Sequence, residues 1–337
     1  MSLLELQGRF IPQIEDSLQV KINTFDFKES SPLKRMLTYQ MGWTIDGAKD
    51  GGGKRIRPFL TLLCAGAFKN NIEAAIPAAI AIEFLHNFTL IHDDIQDQSP
   101  LRHGKPTLWK KWGLAQAINA GDALFSISQL ALLDLAATTN DHICYLAAQE
   151  LNQVCLKLTQ GQYLDIAFES LDNVEINTYF DMIEGKTAAL ISFSTFAGGL
   201  VTDQTSEVLD LLSTFGQSVG MAFQIQDDYL GIWGDPLITG KSAASDIMTR
   251  KKTLPILYGL NHCSVFLEEW QNTKMTKSHV LNMANILEDC GAKQFVQTKA
   301  TGYTEKAFNT LEKLFPKKNA YSSALFELTH HLLTRNA

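Results

Sequence analysis

The chain has 337 residues, a formal net charge of −7, and 45% hydrophobic and 19% charged residues. These proportions are ordinary for a soluble globular protein and exclude a disordered chain. The negative charge argues against nucleic acid as a partner, because proteins that bind nucleic acid carry a dominant basic surface. The longest apolar stretches are interrupted or too short to span a bilayer, so no stable membrane insertion is expected.

Cysteine usage and the N-terminal sequence predict a cytoplasmic protein. The 5 cysteines lie far apart and form no Cys-x-x-Cys pair, which is typical of free thiols in a reducing compartment. The first residues lack the basic segment and apolar core of a signal peptide.

The chain contains only 9 prolines, has long segments rich in alanine and leucine, and lacks alternating β-branched runs. This pattern predicts an all-α protein without strands, which we interpret as a single domain over 1–337. Helices are predicted at 3–22, 32–43, 75–98, 108–138, 142–169, 176–201 and 206–233, with further amphipathic helices over 256–335. Pro12 is expected to kink or divide the first of them.

The helix over 75–98 ends in the carboxylates Asp93, Asp94 and Asp97. Asp93 and Asp97 are one turn apart and share a face, so they repel each other unless they bind a cation or face water. Oxygen ligands suit Mg²⁺, which completes its shell with water and phosphate. The motif therefore predicts a metal–phosphate site, and a solvated acidic turn is the alternative.

A second apolar helix, over 206–233, contains the adjacent carboxylates Asp227 and Asp228. Cations complement the two acidic motifs, and each lies within a few residues of a glycine or a proline: Lys54, Arg55, Arg57, Arg102, Lys186, Lys241 and the run 250–252. The glycines at 51–53 are either a flexible linker or a loop whose backbone N–H groups approach an anion, together with the three cations that follow. This set is suited to holding a diphosphate both through Mg²⁺ and directly.

In this order, the motifs resemble those of the trans-isoprenyl diphosphate synthases, the polyprenyl synthetase family, from about residue 33 to the C-terminus. They are Gly52-Gly-Lys-Arg-Ile-Arg-Pro58, Asp93-Asp-Ile-Gln-Asp97, Gly185-Lys-Thr187, Phe223-Gln-Ile-Gln-Asp-Asp228, and Gly240-Lys241 with Asp246. The resemblance implies the isoprenoid synthase fold, a bundle of long helices around a central cavity. It also implies a Mg²⁺-dependent prenyltransferase, with three ions when diphosphate is bound, that condenses isopentenyl diphosphate head-to-tail with an allylic diphosphate. The family forms homodimers, and the apolar segment 108–138 is not used by the site motifs.

The same resemblance assigns roles to individual residues. Metal ligands are Asp93, Asp97, Asp227 and Asp228. Isopentenyl diphosphate is held by Lys54, Arg57 and His86, and His86 falls within about 20° of Asp93 on a helical wheel. The allylic substrate is contacted by Arg102, Lys186, Thr187, Gln224, Lys241 and Lys251. Of these, Arg102, Lys186 and Lys241 take up charge as diphosphate leaves.

Several interpretations stay open at this point. Lys251 and Lys252 could exchange roles or be solvated, Gln162 and Asp165 line the site or form a surface pair, and His92 is interpreted as structural. A terpene cyclase and a low-activity partner subunit of a heteromeric synthase are the rival functions.

The chain departs from the family pattern at three positions. His103 stands where a second arginine is usual, which puts the homoallylic role of that position in doubt because imidazole lacks the permanent, bidentate charge of guanidinium. Arg250 replaces a glycine. Gly231 replaces the last acid of the second motif, and Gly231→Asp is expected to lower the Mg²⁺ concentration that the enzyme needs.

Product length is predicted from the residues beneath the first acidic motif. Phe88 precedes Asp93 by five residues, roughly 7.5 Å along the helix, although it points about 140° away from Asp93. One aromatic residue here, followed by the small Thr89, is the family's pattern for geranylgeranyl diphosphate synthases. A twenty-carbon product is expected, with farnesyl diphosphate and a modestly longer chain as alternatives.

Overall fold

In the computed structural model the chain is helical almost throughout, which confirms the predicted fold class. The structure describes residues 1–28, 32–44, 53–69, 72–235, 244–272 and 275–333. The helices are α1 (Leu3–Asn23), α2 (Pro32–Gln40), α3 (Ile56–Phe68), α4 (Ile76–Gln96), α5 (Leu108–Trp112), α6 (Leu114–Leu133), α7 (Leu135–Thr138), α8 (Asp141–Ser170), α9 (Ile176–Ile183), α10 (Ala189–Leu200), α11 (Ser206–Trp233), α12 (Ser245–Met248), α13 (Leu254–His262), α14 (Ser264–Trp270), α15 (Lys277–Asp289), α16 (Ala292–Leu314) and α17 (Ala320–Leu333).

Helix α1 begins with a reciprocal cap between Ser2 and Glu5, each side chain accepting a hydrogen bond from the other residue's backbone N–H. The predicted apolar stripe, including Leu6 and Phe10, is buried. Pro12 does not divide the helix, which continues through it to Asn23, so this part of the expectation is wrong, and the kink stays a prediction. Pro12 lies on the exposed face of the helix, where water can satisfy the carbonyl group that loses its N–H donor.

The expectation that no strand occurs is wrong at one place. Leu101–Arg102 (β1) pairs antiparallel with Lys105–Pro106 (β2). The two residues between the strands, His103 and Gly104, have φ angles of 50° and 76°. Positive φ at both central residues defines the type I′ turn, whose twist matches that of a hairpin. The hairpin leaves Arg102 half-buried in β1 and His103 exposed at the turn.

Two predicted helices are interrupted. The segment predicted as one helix over 108–138 is divided into α5, α6 and α7, and Gly113 between the first two has φ of 87°, which glycine adopts without strain. The segment over 176–201 is interrupted by a π-helical turn at Glu184–Ala188. Such turns are rare in proteins, and those that occur often lie at functional sites.

The chain forms two compact units. The first unit comprises Met1–Gln153, Phe193–Leu212 and Lys317–Leu325, and the second comprises Val154–Ser192, Ser213–Pro316 and Phe326–Ala337. The single domain predicted over 1–337 stays a prediction.

The core of the first unit is centred on the packing of α4 against α6. Buried small residues, including Ala81 on α4 and Ala117 and Ala120 on α6, allow the two helices to approach closely. The Ser128 hydroxyl of α6 donates to the carbonyl oxygen of Ala81 at 2.7 Å. In the second unit, α9, α11, α13 and α16 share an apolar core that includes Tyr179, Ile225, Leu254 and Val296.

Two segments, Glu73–Gln96 and Leu114–Thr138, are long and apolar enough to pass a test for membrane spans, contrary to the expectation from sequence. In the first segment, 72% of the most apolar window is buried inside the protein. Core helices of soluble proteins pass the same test, so the two segments are weak evidence for membrane insertion.

Candidate functional site

The first acidic motif lies at the C-terminal end of α4, where the Asp97 backbone N–H donates to the Asp93 carbonyl oxygen at 2.9 Å. Asp93 is half-buried and Asp97 is exposed, whereas Asp94 points to another face and is buried. Adjacent helical residues differ by about 100° in direction, which separates Asp94 from the other two. The structure thus places Asp93 and Asp97 where they can face a ligand.

Asp94 anchors Arg102, a role for which its position in the sequence carries no signal. The Arg102 Nε donates to Asp94 Oδ1 at 2.9 Å and Oδ2 at 3.1 Å, and its Nη2 lies 3.3 Å from Asp93 Oδ2. Burial raises the pKa of Asp94, although the bond to Arg102 opposes the shift. The guanidinium is consequently held beside the first acidic motif, as predicted for a residue that meets a diphosphate.

Arg57 and His86 lie together in the first unit, with Arg57 Nη1 3.2 Å from His86 Nε2. Burial, followed by the charge of Arg57, lowers the pKa of His86 well below 6.5. His86 is therefore neutral near pH 7 and can accept the hydrogen bond from Arg57. Lys54 is exposed.

A cavity of about 140 Å³ in the first unit unites several of these predicted residues. Its lining includes the predicted site residues His86, Arg102 and His103, and also Tyr39, Gly53, Asn87, Asp94 and Lys105. The cavity is rich in donors, which suits an anionic ligand. Gly51 and Gly52 of the preceding glycine loop lie outside the described residues.

Arg55 borders this cavity, but its guanidinium donors are used within the protein, contrary to the expectation that all three cations after the glycines meet an anion. Only 2% of the Arg55 surface is exposed. Its Nε donates to Glu15 Oε1 at 3.0 Å, its Nη1 to Glu83 Oε1 at 2.7 Å, and its Nη2 to the Met41 carbonyl oxygen at 2.7 Å. Two carboxylates and a carbonyl group thus commit Arg55 to the interior.

In the second unit, Lys186 projects from the π-helical turn and its Nζ donates to Asp165 Oδ2 at 2.5 Å. Two glycines bring the turn against α8. A Cβ on Gly161 would lie 2.3 Å from the Lys186 backbone nitrogen, and one on Gly185 would lie 2.6 Å from the Lys157 carbonyl oxygen. The contact favours a site role for Asp165 over the surface pair, since Asp165 and Lys186 line one small cavity.

A chain of hydrogen bonds connects the other predicted residues of the second unit. Thr187 Oγ1 donates to Gln224 Oε1 at 2.9 Å, and Gln224 Nε2 donates to Asp228 Oδ1 at 2.9 Å. Asp228 Oδ2 accepts from the Tyr179 hydroxyl at 2.5 Å and from the Leu254 backbone N–H at 3.0 Å. Tyr179 was missed from sequence, where it is one aromatic residue in an amphipathic helix.

Asp228 is buried, and burial raises its pKa to about 6 although three donors and Lys251 oppose the shift. Both of its oxygens accept hydrogen bonds from the protein. The geometry therefore favours Asp227, half-buried on the next face of α11, as the acid of this motif that meets a metal. Metal binding by Asp228 stays a prediction that the geometry does not favour.

Gly231, where the family has an acid, lies directly against Asp246. A Cβ on Gly231 would be 2.2 Å from Asp246 Oδ2 and 2.6 Å from its Cγ. The Asp246 carboxylate thus occupies the space into which a side chain at 231 would begin. This contact argues against the expectation that Gly231→Asp would improve Mg²⁺ binding.

The segment 250–252 separates into distinct roles. Arg250 has φ of 57°, which explains why glycine is usual there, and its Nη2 donates to the carbonyl oxygens of Trp270 and Asn272. Lys252 Nζ donates to the carbonyl oxygens of Phe168 and Leu171 at the C-terminal end of α8. Lys252 is thus a structural cap, and Lys251, which is exposed, keeps the predicted site role.

Phe88, predicted to limit product length, packs against two rings, with centroid distances of 4.7 Å to His92 and 5.3 Å to Phe125 of α6. His92 packs against Gly121, where an added Cβ would lie 2.4 Å from its ring, and its interpretation as structural stays a prediction. The Thr89 hydroxyl donates to the His86 carbonyl oxygen at 2.8 Å.

Two further predictions concern Lys241 and the metal. Lys241 lies outside the described residues. Among the residues that are described, no three His, Cys, Asp or Glu side chains form a group able to enclose a metal. Paired carboxylates such as Asp93 and Asp97 fit Mg²⁺ nevertheless, because Mg²⁺ binds proteins through one or two carboxylates and takes water and phosphate oxygens as its other ligands.

The comparisons with known proteins agree with this chemistry. The family model described as polyprenyl synthetase matches residues 44–289. The chain is 32% identical over 317 residues to (2E,6E)-farnesyl diphosphate synthase of Mycobacterium tuberculosis, covering 90% of this chain and 87% of that protein. It is 34% identical over 289 residues to geranylgeranyl diphosphate synthase of Methanosarcina mazei, covering 85% and 87%. The crystal structure of geranylgeranyl pyrophosphate synthetase from Pyrococcus horikoshii superimposes with a TM-score of 0.88 at 30% identity, covering 98% of this chain and 99% of that one.

Proposed function

The chain belongs to the polyprenyl synthetase family and is a prenyl diphosphate synthase, and from this premise we propose that its product is geranylgeranyl diphosphate. In this proposal it adds isopentenyl diphosphate head-to-tail to an allylic diphosphate. The observation that carries the assignment of substrates to this chain's residues is the cavity lined by His86, Arg102 and His103 in the first unit, next to the paired acids of α4.

Bound Mg²⁺, three ions in this proposal, would neutralise the allylic diphosphate as it leaves. By resemblance to the family, Asp93, Asp97 and Asp227 are the residues that would supply its carboxylate ligands. Arg102 donates guanidinium hydrogen bonds to the leaving group from the position in which Asp94 holds it. Lys186 and Lys251 supply ammonium groups, and Lys241 has the same role by resemblance.

Isopentenyl diphosphate is held by Arg57, with Lys54 adding charge. His86 contributes as a neutral hydrogen-bonding partner rather than as a cation, because its pKa is well below 6.5. His103 is exposed on the hairpin turn and lines the same cavity, so it contacts the diphosphate without the grip of a second arginine.

The carbon–carbon bond forms when the double bond of isopentenyl diphosphate attacks the allylic carbon, and the released diphosphate accepts the proton that is lost. No side-chain base is needed for this step. Apolar helix side chains exclude water, which would otherwise capture the allylic cation. The rival cyclase reaction uses one diphosphate and would leave Arg57 and Lys54 without a task.

The twenty-carbon length rests on Phe88 as the floor beneath the first acidic motif. The compared relatives carry names for fifteen- and twenty-carbon products, so family membership leaves the length to this chain's own residues. Phe88 is supported from the side by Phe125, with 5.3 Å between ring centroids. A supported ring resists displacement by a growing chain, which favours a short product over a much longer one.

The test is product analysis by mass spectrometry after incubation with Mg²⁺, isopentenyl diphosphate and an allylic starter. The unmodified enzyme should release a twenty-carbon diphosphate, Phe88→Ala a longer distribution, and Thr89→Phe a shorter one. Phe308→Ala removes an aromatic ring from a different pair, with Phe326, and should leave the length unchanged. Identical products from Phe88→Ala and the unmodified enzyme would remove the basis of the length assignment, and a cyclic hydrocarbon would support the cyclase.

We assign a cytoplasmic homodimer to this enzyme. The support for the dimer is the exposed apolar surface of α6, where Leu114, Leu130 and Leu133 are 54%, 45% and 51% exposed in a helix that carries no site motif. Light scattering at micromolar concentration should give twice the chain mass, and a monomer would refute the dimer.

A further inference from the structure

Tyr179 of α9 occupies a position that the reaction does not explain by itself. Its side chain is 1% exposed and borders the small cavity that Asp165 and Lys186 line, but its hydroxyl hydrogen is committed to Asp228. The hydroxyl donates to Asp228 Oδ2 at 2.5 Å, directly beneath the second acidic motif. A buried carboxylate and a buried phenol are both costly to desolvate, and they persist together because each satisfies the other.

The hydrogen bonds around Asp228 make it a junction of three elements. Tyr179 reaches it from α9, Gln224 from one turn earlier on α11, and the Leu254 backbone N–H from the first residue of α13. An ionised carboxylate has no hydrogen to donate, so all three partners must be donors. Asp228 therefore determines how the hydrogen-bonding groups of Tyr179, Gln224 and Leu254 are oriented.

The consequence extends to the side chains that face the ligand. Because Gln224 must turn its NH₂ group toward Asp228, its Oε1 is left to accept from the Thr187 hydroxyl at 2.9 Å. Thr187 follows Lys186 in the π-helical turn, and Asp227 precedes Asp228 on α11. The orientation of these neighbours depends on the junction being intact.

Resting on the proposed function, we propose that Tyr179 is a positioning residue for the second acidic motif: through Asp228 and Gln224 it sets the placement of Asp227 and Thr187 toward Mg²⁺ and diphosphate. Asp228 then serves as the anchor of this arrangement, and Asp227 as the ligand. Groups that orient a metal ligand from behind typically change metal affinity by about 10- to 100-fold when they are removed.

The variant that isolates this bond is Tyr179→Phe, which keeps the ring and removes the hydroxyl. Tyr229→Phe is a matched control, because Tyr229 is also buried, lies next to Asp228 on α11, and uses its hydroxyl to accept from Gln297 Nε2 at 3.2 Å, outside the junction. Both variants lose one buried hydroxyl, so a purely structural effect would be similar in the two.

The measurement is calorimetric binding of inorganic pyrophosphate at increasing Mg²⁺, which needs no turnover. Tyr179→Phe should raise the Mg²⁺ concentration for half-maximal binding by about 10-fold, and Tyr229→Phe by less than about twofold. In an Asp228→Asn background, Tyr179→Phe should add little further loss, because the two side chains act through one bond.

Equal effects of Tyr179→Phe and Tyr229→Phe would overturn the proposal. An Asp228→Asn loss as large as that of Asp227→Asn, together with a silent Tyr179→Phe, would make Asp228 a metal ligand and overturn it as well. Failure of the proposed function would look different: the unmodified enzyme would form no prenyl product, whether or not Tyr179 affects pyrophosphate binding.

Discussion

Gly231→Asp would introduce the acid that the family has at this position, and the structure reverses the effect expected from sequence. The new Cβ would start 2.2 Å from Asp246 Oδ2, closer than any unstrained contact. Asp246 can yield only by rotating a short side chain whose Oδ1 accepts from the Ser245 hydroxyl at 3.3 Å. The substitution therefore forces two carboxylates into one space.

The magnitudes of the opposing effects decide whether Gly231→Asp stabilises or destabilises the protein. Overpacking of this kind costs about 1–3 kcal/mol, and a like-charge partner one turn away at Asp227 adds about 0.2–0.5 kcal/mol. Replacing glycine by aspartate in a helix returns only about 0.3 kcal/mol of propensity. The net loss of about 1–3 kcal/mol corresponds, for a chain of 337 residues, to a melting temperature lower by roughly 1.5–4 °C.

Thermal melting without Mg²⁺ measures this loss directly. Gly231→Ala makes the same steric contact without the charge and gains about 1 kcal/mol of helix propensity, so it should lose less stability. Gly231→Asp combined with Asp246→Gly vacates the contested space and should recover most of the melting temperature. A single Gly231→Asp variant that melts at or above the unmodified enzyme and needs less Mg²⁺ for activity would refute this reasoning.

The other predictions concern the first unit. Asp97→Ala should abolish turnover and keep the helical circular dichroism spectrum, because it removes an exposed metal ligand; retained turnover would contradict the metal assignment. Arg55→Lys should destabilise the protein by about 3 kcal/mol in denaturant unfolding, since lysine cannot reach both Glu15 and Glu83 and buried carboxylates are left unpaired. His86→Asn should make stability less sensitive to acid, as measured by melting temperatures between pH 7.5 and 5.

The sign for His86 follows from its lowered pKa. The folded protein resists protonating His86, so the stabilisation is fully present above the ordinary pKa of 6.5 and is lost as pH falls below it. An equal loss of melting temperature in His86→Asn and the unmodified enzyme would exclude this contribution. For Arg55→Lys, the control is Arg57→Lys, which should impair use of isopentenyl diphosphate with a smaller change in stability.

Local spacing was sufficient to predict most of the helices and both acidic motifs. The predicted helix over 206–233 coincides with Ser206–Trp233, because an uninterrupted apolar period determines a helix wherever its partners lie. Asp93 and Asp97 share a face for the same reason, since a separation of four residues is one helical turn. The positions at which helices end were less predictable, because a helix ends at Gly113 but continues through Pro12. Pro12 is tolerated because it lies on the water-exposed face of its helix.

The sequence alone showed that charged residues occur in pairs and runs near helix ends, and from this it predicted that a polyanion and Mg²⁺ are bound. Only the tertiary structure decided which member of each pair is available: Arg57 or Arg55, Asp93 or Asp94, Lys251 or Lys252. Neighbouring residues point in different directions, and the one buried among carboxylates or carbonyl groups, as Arg55 is by Glu15 and Glu83, becomes structural. Those partners are distant in sequence, so no local pattern could reveal them.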